Sequence, residues 1–481
     1  MRNKFTLLLS LLLLNITQAQ QLSYGFTLGV EPMVFTSDSA HLVNAFSGGC
    51  NSMQFATMDC NNDGVSDLVV YDVQGRNIKV FLREDEQWKY APQYNHYFPQ
   101  LKGFMQMTDF DGDGKKDIFT YGNAGIAVYK NISDTILKFE LFTSQILSVY
   151  YQQPINLFCT EGDYIVIQDM DGDGDVDILA FWSLGMYVDY HRNMSMERYH
   201  DLSHLEYQVE DRCWGKFAES GENNMITLHS DCNLTSPLTK NNRHTGSTML
   251  AHDMNGDGLV DLVLGDMDYP QLLLLYNGGS EDTSIMVSID TCFPSNTIPV
   301  NLYSMPCPVM LHLYSDTIKD MLVSPLDLSF TKSENKESVW LYRNRGTISH
   351  PDFVLQSKSF LQETMLDFGS GAYPVWGDVD GDGLTDLLVG NYGYYDSAIS
   401  TSYNLTCYYS SSVAYLRNIG TGTHPAFQLI TEDLFNLRSK GYLALYPAIG
   451  DVNGDGKADI LIATHEGEIL YFKNTGDDDM E

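Results

Sequence analysis

Short apolar runs separated by polar turns repeat along almost the whole chain. The clearest unit begins with an apolar run at 373–377, crosses the polar nonapeptide Asp378–Asp386, and continues at once into Leu387-Leu388-Val389-Gly390. A second apolar run at 413–418 ends in Asn, and a further one follows at 425–429. Runs this short, rich in β-branched and aromatic residues and bounded by Gly, Asp and Asn, predict strands rather than helices. The Asn-ended run recurs at 127–131, 187–193, 272–277, 339–344 and 469–474. Its Asn reads as a turn residue that tolerates the left-handed conformation. Each repeat is therefore predicted to hold four short strands: one before the nonapeptide, one after it, the Asn-ended one and an outer one.

The nonapeptide supplies the chemistry. DVDGDGLTD at 378–386 carries oxygen side chains at positions 1, 3, 5 and 9, with Gly at position 6. Alternate residues of a tight loop point inward and Gly permits the sharp turn, so the spacing suits a hard cation such as Ca²⁺. Five more copies lie at 59–67 (DCNNDGVSD), 109–117 (DFDGDGKKD), 169–177 (DMDGDGDVD), 253–261 (DMNGDGLVD) and 451–459 (DVNGDGKAD). The candidate ligands, with position 7 contributing a backbone carbonyl, are Asp59, Asn61, Asp63, Val65 and Asp67 in the first loop, and Asp109, Asp111, Asp113, Lys115 and Asp117 in the second. They continue as Asp169, Asp171, Asp173, Asp175 and Asp177, then Asp253, Asn255, Asp257, Leu259 and Asp261. The last two sets are Asp378, Asp380, Asp382, Leu384 and Asp386, and Asp451, Asn453, Asp455, Lys457 and Asp459.

Unlike an EF-hand, these loops have no Glu at position 12, which holds Val70, Thr120, Ala180, Leu264, Val389 and Ile462. Position 9 must ligate instead, which predicts weak sites in the ~10⁻⁴–10⁻³ M range of extracellular modules. At millimolar Ca²⁺ each site then adds roughly 0.5–2 kcal/mol by mass action. The expected role is structural, with about six Ca²⁺ sites and no catalytic metal.

Loop starts are separated by 50, 60, 84, 125 and 73 residues. The longest interval hides a degenerate copy, Asp316-Thr317-Ile318-Lys319-Asp320, which keeps only the end of the loop and is expected to bind no metal. Seven repeats of this kind predict an all-β fold, a seven-bladed β-propeller of four-stranded blades spanning residues 20–481. Ring closure is expected from pairing of the N- and C-terminal segments, with 22–28 supplying the outer strand of the last blade. Three stretches exceed the repeat, at about 194–246, 290–308 and 391–411, and topology gathers them on the face opposite the metal loops. The last holds Tyr392, Tyr394, Tyr395, Tyr403, Tyr408 and Tyr409, which suit either stacking on a ligand or packing within the insertion.

Residues 1–19, with Arg2 and Lys4 before a Leu-rich core and Thr-Gln-Ala after it, read as a secretory signal. No later run is long enough to span a bilayer, so the mature chain is expected to be secreted or displayed at the cell surface. A net charge of −35 excludes nucleic acid as a partner, and about a third of the acidic residues lie in the six loops. Proximity suggests disulfides Cys50–Cys60, Cys213–Cys232 and Cys292–Cys307, although spacing alone does not fix connectivity. Asn131, Asn193, Asn233 and Asn404 head glycosylation sequons.

Six DxDGDGxxD-type loops, each followed by a β run, resemble the FG-GAP/VCBS repeat of integrin α-subunit propellers and many secreted bacterial proteins. The resemblance covers essentially the whole mature chain. It implies a calcium-stabilised, monomeric seven-bladed propeller used for extracellular recognition or adhesion, with a glycan or protein as ligand. The chain departs from integrins in having no inserted metal-dependent adhesion domain and no RGD-like sequence. Two rivals are a non-catalytic scaffold subunit and a calcium-dependent polysaccharide-degrading enzyme. For the enzyme, His204, His229, His244 and His252 are available as acid or base, but no catalytic motif accompanies them.

Overall fold

Each repeat becomes its own antiparallel sheet because the loop and the Asn-ended run turn the chain back at regular distances. A computed structural model describes residues 32–182, 185–220, 224–232, 247–267, 269–280, 283–326, 334–401 and 404–476. The signal at 1–19 and the closing segment at 22–28 lie outside the described residues. The compact unit discussed below begins at Met33.

The first sheet runs in sequence order through Met53–Met58, Asp67–Asp72, Asn77–Glu84 and Gln87–Tyr90. The second repeats this with Met105–Thr108, Asp117–Gly122, Gly125–Asn131 and Phe139–Thr143. The fourth contains Ser247–His252, Asp261–Asp266, Leu272–Asn277 and Met286–Phe293; the fifth contains Pro306–Leu311, Asp320–Pro325, Trp340–Asn344 and Phe353–Ser357. The third, Val166–Gln168, Asp177–Phe181, Val188–Asn193 and Tyr207–Asp211, is widened by the hairpin Leu147–Tyr150/Gln153–Asn156. The sixth holds Tyr373–Gly377, Asp386–Gly390, Val413–Asn418 and Ala426–Thr431; the seventh has three strands, Tyr446–Gly450, Asp459–Ala463 and Ile469–Phe472.

The strand after each loop is the most deeply buried. Leu68, Val69, Val70 and Tyr71 are all at 0% exposure, as expected where both faces of a sheet are covered. All six position-12 residues are buried, which places them in the core rather than at a ligand.

Hydrogen bonds tie neighbouring sheets together. Gln54 and Met105 join the first to the second, Gln106 and Ile165 the second to the third, and Tyr164 with Ser247 and Met249 the third to the fourth. Thr248 Oγ1 donates to Pro306 O at 2.6 Å, linking the fourth to the fifth. Ser52 Oγ then donates to Pro325 O at 2.8 Å, and Met53 N donates to Ser324 Oγ at 3.1 Å, linking the fifth back to the first. Ser338 and Gln362 both donate to Cys50 O, fastening the approach to the sixth sheet alongside the first. The sixth and seventh sheets pack on one another through Tyr373–Tyr446 stacking at 4.1 Å.

The first described strand, Met33–Phe35, pairs in parallel with Ala426–Thr431 of the sixth sheet. Among the described residues, no helix is long and apolar enough to cross a membrane. The insertions are partly regular: Tyr207–Asp211 and Met286–Phe293 are the outer strands of their sheets, and 391–411 forms the hairpin Tyr394–Thr401/Asn404–Ser410.

Candidate metal centres in the repeat loops

The six loops fold alike because the same backbone donors meet the same carboxylates. The Asp at position 1 accepts the N–H of the position-6 Gly: Gly64 to Asp59 at 2.9 Å, Gly114 to Asp109 at 2.8 Å, Gly174 to Asp169 at 3.1 Å, Gly258 to Asp253 at 3.0 Å, Gly383 to Asp378 at 3.0 Å and Gly456 to Asp451 at 2.9 Å. That Gly lies at φ +85° in Gly114 and +86° in Gly383, which a side chain would strain. Position 5 accepts the position-7 N–H, as in Val65 to Asp63, Lys115 to Asp113, Leu259 to Asp257, Leu384 to Asp382 and Lys457 to Asp455.

Position 9 has a second task that the sequence did not announce. Asp67, Asp117, Asp177, Asp261, Asp386 and Asp459 are fully buried. One oxygen accepts the position-2 N–H, as from Phe110 to Asp117 at 3.1 Å. The other accepts the N–H at the end of the third strand: Asn131 to Asp117 at 2.7 Å, Asn193 to Asp177 at 2.8 Å, Asn277 to Asp261 at 2.7 Å, Asn418 to Asp386 at 2.8 Å and Asn474 to Asp459 at 2.8 Å. Arg83 plays this part for Asp67 at 3.0 Å. In Asp67, Asp117 and Asp261 each oxygen keeps a second lone pair for a cation, whereas in Asp177, Asp386 and Asp459 only Oδ1 does.

In three loops the carboxylates converge. One ligand oxygen from each of Asp109, Asp111 and Asp117, of Asp169, Asp171 and Asp177, and of Asp378, Asp380 and Asp386 lies within 4.8 Å of the others. This all-oxygen donor set could hold a hard divalent cation. The first, fourth and seventh loops have Asn61, Asn255 and Asn453 at position 3, one negative charge fewer. Glu197 also joins Asp171 and Asp173 in the third loop, a residue the nonapeptide pattern could not reveal. The Asp175 side chain turns away and accepts the Met196 N–H at 3.0 Å, so only its backbone is left for a position-7 role.

Burial pushes five of the position-9 carboxyls up, to about 6 in Asp67, Asp117 and Asp261 and to about 8 in Asp177, with Asp386 raised as well. In these five, desolvation of the charge outweighs the backbone N–H bonds that favour it. In Asp459 desolvation is outweighed by hydrogen bonds from Asn474, Tyr471, Val452 and Asn453, which hold it below the usual value. Basic side chains offset the outer carboxylates: Lys130 pairs with Asp111 and Asp113, Arg192 with Asp171, Asp173 and Glu197, Arg417 with Asp380 and Asp382, and Lys473 with Asp455. Each precedes the strand-ending Asn. Tyr190, Tyr415 and Tyr471 donate O–H to Asp177, Asp386 and Asp459 at 3.0, 3.2 and 3.0 Å. A Tyr-x-[Arg/Lys]-Asn signature was present in the sequence at 190–193, 415–418 and 471–474.

The closing Asn is not a left-handed turn residue. Asn277 donates to Val260 O and accepts from Gly279 and Ile285, so one side chain gathers three strands. Asn131 and Asn193 are buried in the same bonding, which corrects their reading as glycosylation sites. Asn233 lies outside the described residues, and for Asn404 only the backbone strand is described. In the degenerate repeat Asp320 still accepts the Asn344 N–H at 2.9 Å and Arg343 Nε at 3.1 Å, without the other ligands.

Other expectations separate. Cys213–Cys232 is a disulfide, whereas Cys50, Cys60 and Cys307 are buried free thiols and Cys292 is exposed. The core strands hold those thiols apart. Trp214 is buried and part of the core. Of the insertion tyrosines, Tyr394 is buried beneath Lys336 and Arg438, and Tyr392, Tyr395 and Tyr409 pack edge to face. Tyr408 is 49% exposed; Tyr403 lies outside the described residues. His204 stacks on Tyr199, His229 sits in a turn near the disulfide, and His252 ends the first strand of the fourth sheet. They assemble no site together, and His244 is outside the described residues.

An all-β repeat protein with an acidic nonapeptide loop in six of its seven repeats is thus defined. Residues 109–180 match the FG-GAP-like repeat model and 374–403 the FG-GAP repeat model. The chain carries FG-GAP repeats in these two stretches. No curated protein matches it. Among solved structures it is similar to an Agrocybe aegerita lectin described as recognising non-reducing terminal N-acetylglucosamine, at 14% identity over 92% of this chain and 94% of that one, with a TM-score of 0.29. It is also similar to the Photorhabdus luminescens Tc holotoxin pore, at 14% identity, 94% and 17% coverage and a TM-score of 0.22. The chain spans about 17% of the length of that toxin component.

Proposed function

We propose that this protein is a calcium-stabilised β-propeller of the FG-GAP type, exported from the cell, that acts as a recognition or adhesion module for a glycan or protein and performs no reaction of its own. The observation that carries the calcium reading is the repeated convergence of carboxylates at positions 1, 3 and 9. Six ions would offset the repulsion between these buried and half-buried charges and tie each sheet's first two strands together. The recognition reading rests on the 391–411 hairpin, a separate two-stranded sheet whose Ile399 and Tyr408 are 54% and 49% exposed. Binding functions concentrate on loops held by a rigid scaffold.

The test is retention of the full chain on immobilised polysaccharides and matrix proteins, in millimolar Ca²⁺ and in chelator. Retention that requires Ca²⁺ and is lost when 391–411 is replaced by a short turn supports the module. Retention indifferent to both changes, or absent throughout, would refute it.

A further inference from the structure

The third sheet carries the hairpin Leu147–Tyr150/Gln153–Asn156 in addition to its four repeat strands. Residues 141–160, which contain it, hold no charged side chain, in a chain with 63 acidic and 28 basic residues. Its turn reads Tyr150-Tyr151-Gln152-Gln153 and presents aromatic rings and amides instead. Tyr150 pairs with Gln153, so Tyr151 and Gln152 are the central residues of the turn, at φ 44° and 68°. Two-residue hairpin turns of this hand favour Asn and Gly there. A tyrosine in the left-handed region is strained, and the Tyr151 side chain, 84% exposed, gains no burial to offset that. Its place is explained by what the exposed ring can do.

The neighbours of that ring are fixed from two sides. Strand Leu147–Tyr150 runs parallel to the outer strand Tyr207–Asp211, and Arg212 follows that strand directly. Cys213 anchors Arg212 from the other side through its disulfide to Cys232. The Arg212 guanidinium carbon lies 5.6 Å from the Tyr150 ring centre, 6.0 Å from Tyr151 and 5.9 Å from Trp182. Its Nη1 donates to the Tyr151 hydroxyl at 3.1 Å, its Nε is without a partner, and among the described residues it has no ion pair. Trp182 is half-buried and stacks on Tyr187 at 6.2 Å. Asp189, at 1% exposure, accepts the Tyr150 hydroxyl at 2.6 Å and so fixes that ring. Three aromatic rings and a guanidinium with unused donors thus gather at the turn end of the hairpin.

We propose that Tyr151, Trp182 and Arg212 form a binding site for a neutral pyranose unit of an oligosaccharide. The apolar C–H face of such a sugar stacks on an aromatic ring, and its hydroxyls accept the guanidinium donors that Tyr151 leaves free. An acidic sugar is disfavoured. Glu210 and Asp211 precede Arg212 in the chain and Asp189 holds Tyr150, while Lys216 answers only Asp211, at 3.9 Å. The site stands on a different part of the chain from the 391–411 hairpin, and the inference goes beyond the recognition role given to that hairpin.

The experiment is calorimetric titration of the full chain, in millimolar Ca²⁺, with cellohexaose, xylohexaose, mannohexaose and maltohexaose, and with hexagalacturonate as the acidic probe. The expected result is saturable binding of at least one neutral hexasaccharide and none of hexagalacturonate. Tyr151→Ala should weaken that binding about 10- to 100-fold, the effect of losing an aromatic anchor, with a melting temperature no lower because the ring is exposed. Tyr151→Phe keeps the ring face and loses the bond to Arg212, so it should weaken binding by only about 2- to 10-fold. Replacing 391–411 by a short turn should leave the binding intact. Binding lost only on replacing 391–411 would refute this site and spare the role of that hairpin; binding lost only in Tyr151→Ala would do the reverse. Failure of all four neutral probes, tighter binding of hexagalacturonate, or an affinity unchanged in Tyr151→Ala would overturn the proposal.

Discussion

Asp117 and Asp320 occupy the same position in two repeats, one with a full set of loop carboxylates and one without. Replacing each by Asn separates the hydrogen-bonding role of position 9 from its proposed metal role. In Asp117→Asn the amide presents a donor where one of two backbone N–H groups, Phe110 or Asn131, needs an acceptor. A buried donor left unpaired costs about 1–3 kcal/mol. In Asp320→Asn, Oδ1 can still accept the Asn344 N–H, but the charge opposite Arg343 is lost. Arg343 is partly exposed, so the charge term is screened and the total should be about 1–2 kcal/mol. Only Asp117→Asn should also lose ion binding. With a site in the ~10⁻⁴–10⁻³ M range and about 2 mM Ca²⁺, that term is roughly 0.6–1.8 kcal/mol. Urea unfolding in Ca²⁺ and in chelator reads both. The Asp320→Asn penalty should be the same in the two buffers, whereas the Asp117→Asn penalty should be larger in Ca²⁺ by the linkage term. Equal penalties in both buffers for Asp117→Asn would refute the metal role of position 9.

Four further outcomes follow from the same contacts. Burial holds the Asp177 proton to about pH 8 in the folded state, against an ordinary carboxyl value of 3.8, so the folded state binds the extra proton between these values. Metal-free stability should therefore fall as pH rises through that window, and thermal melts should show Ca²⁺ restoring more stability at the high end than at the low end. Asn277→Ala removes a side chain that bonds Val260, Gly279 and Ile285 and should cost roughly 2–4 kcal/mol in denaturant unfolding. Breaking Cys213–Cys232, whose sequence separation is 19, as Cys213→Ser/Cys232→Ser, should cost about 3 kcal/mol in unfolding monitored near Trp214. Peptide mapping of protein passed through a glycosylating secretory pathway should find Asn131 and Asn193 unmodified, since both are buried and bonded.

The repeats were legible because each carries its own punctuation: Asp and Gly in the loop, apolar residues after it and a terminal Asn. Five of the six position-12 residues are apolar, in keeping with their burial in the core. The neighbours of each sheet were not legible, because an apolar strand face does not specify which other face it meets. That choice rests on pairings such as Ser52 with Pro325 and Met53 with Ser324, between residues that look unremarkable in sequence. The Asn was misread for a similar reason. Turn preference explains a lone Asn, whereas Asn277 and its counterparts owe their place to three strands that only the fold brings together. The disulfide expectation succeeded for Cys213–Cys232, which lies in the excursion beyond the third sheet, and failed where Cys50, Cys60 and Cys307 are committed to separate strands and loop turns.

The parallel pairing of Met33–Phe35 with the sixth sheet has a consequence for synthesis. Gln428 reaches back to Ser37 across 391 residues. At ordinary elongation rates the early strand waits roughly 20–80 s for its partner to be made. During that time its unpaired edge is a template for stray strand addition, a hazard limited by its length of three residues. Completion of the sixth sheet is therefore a splice between early and late parts of the chain, and proteolysis of nascent chains should find this strand protected only after the sixth sheet has emerged.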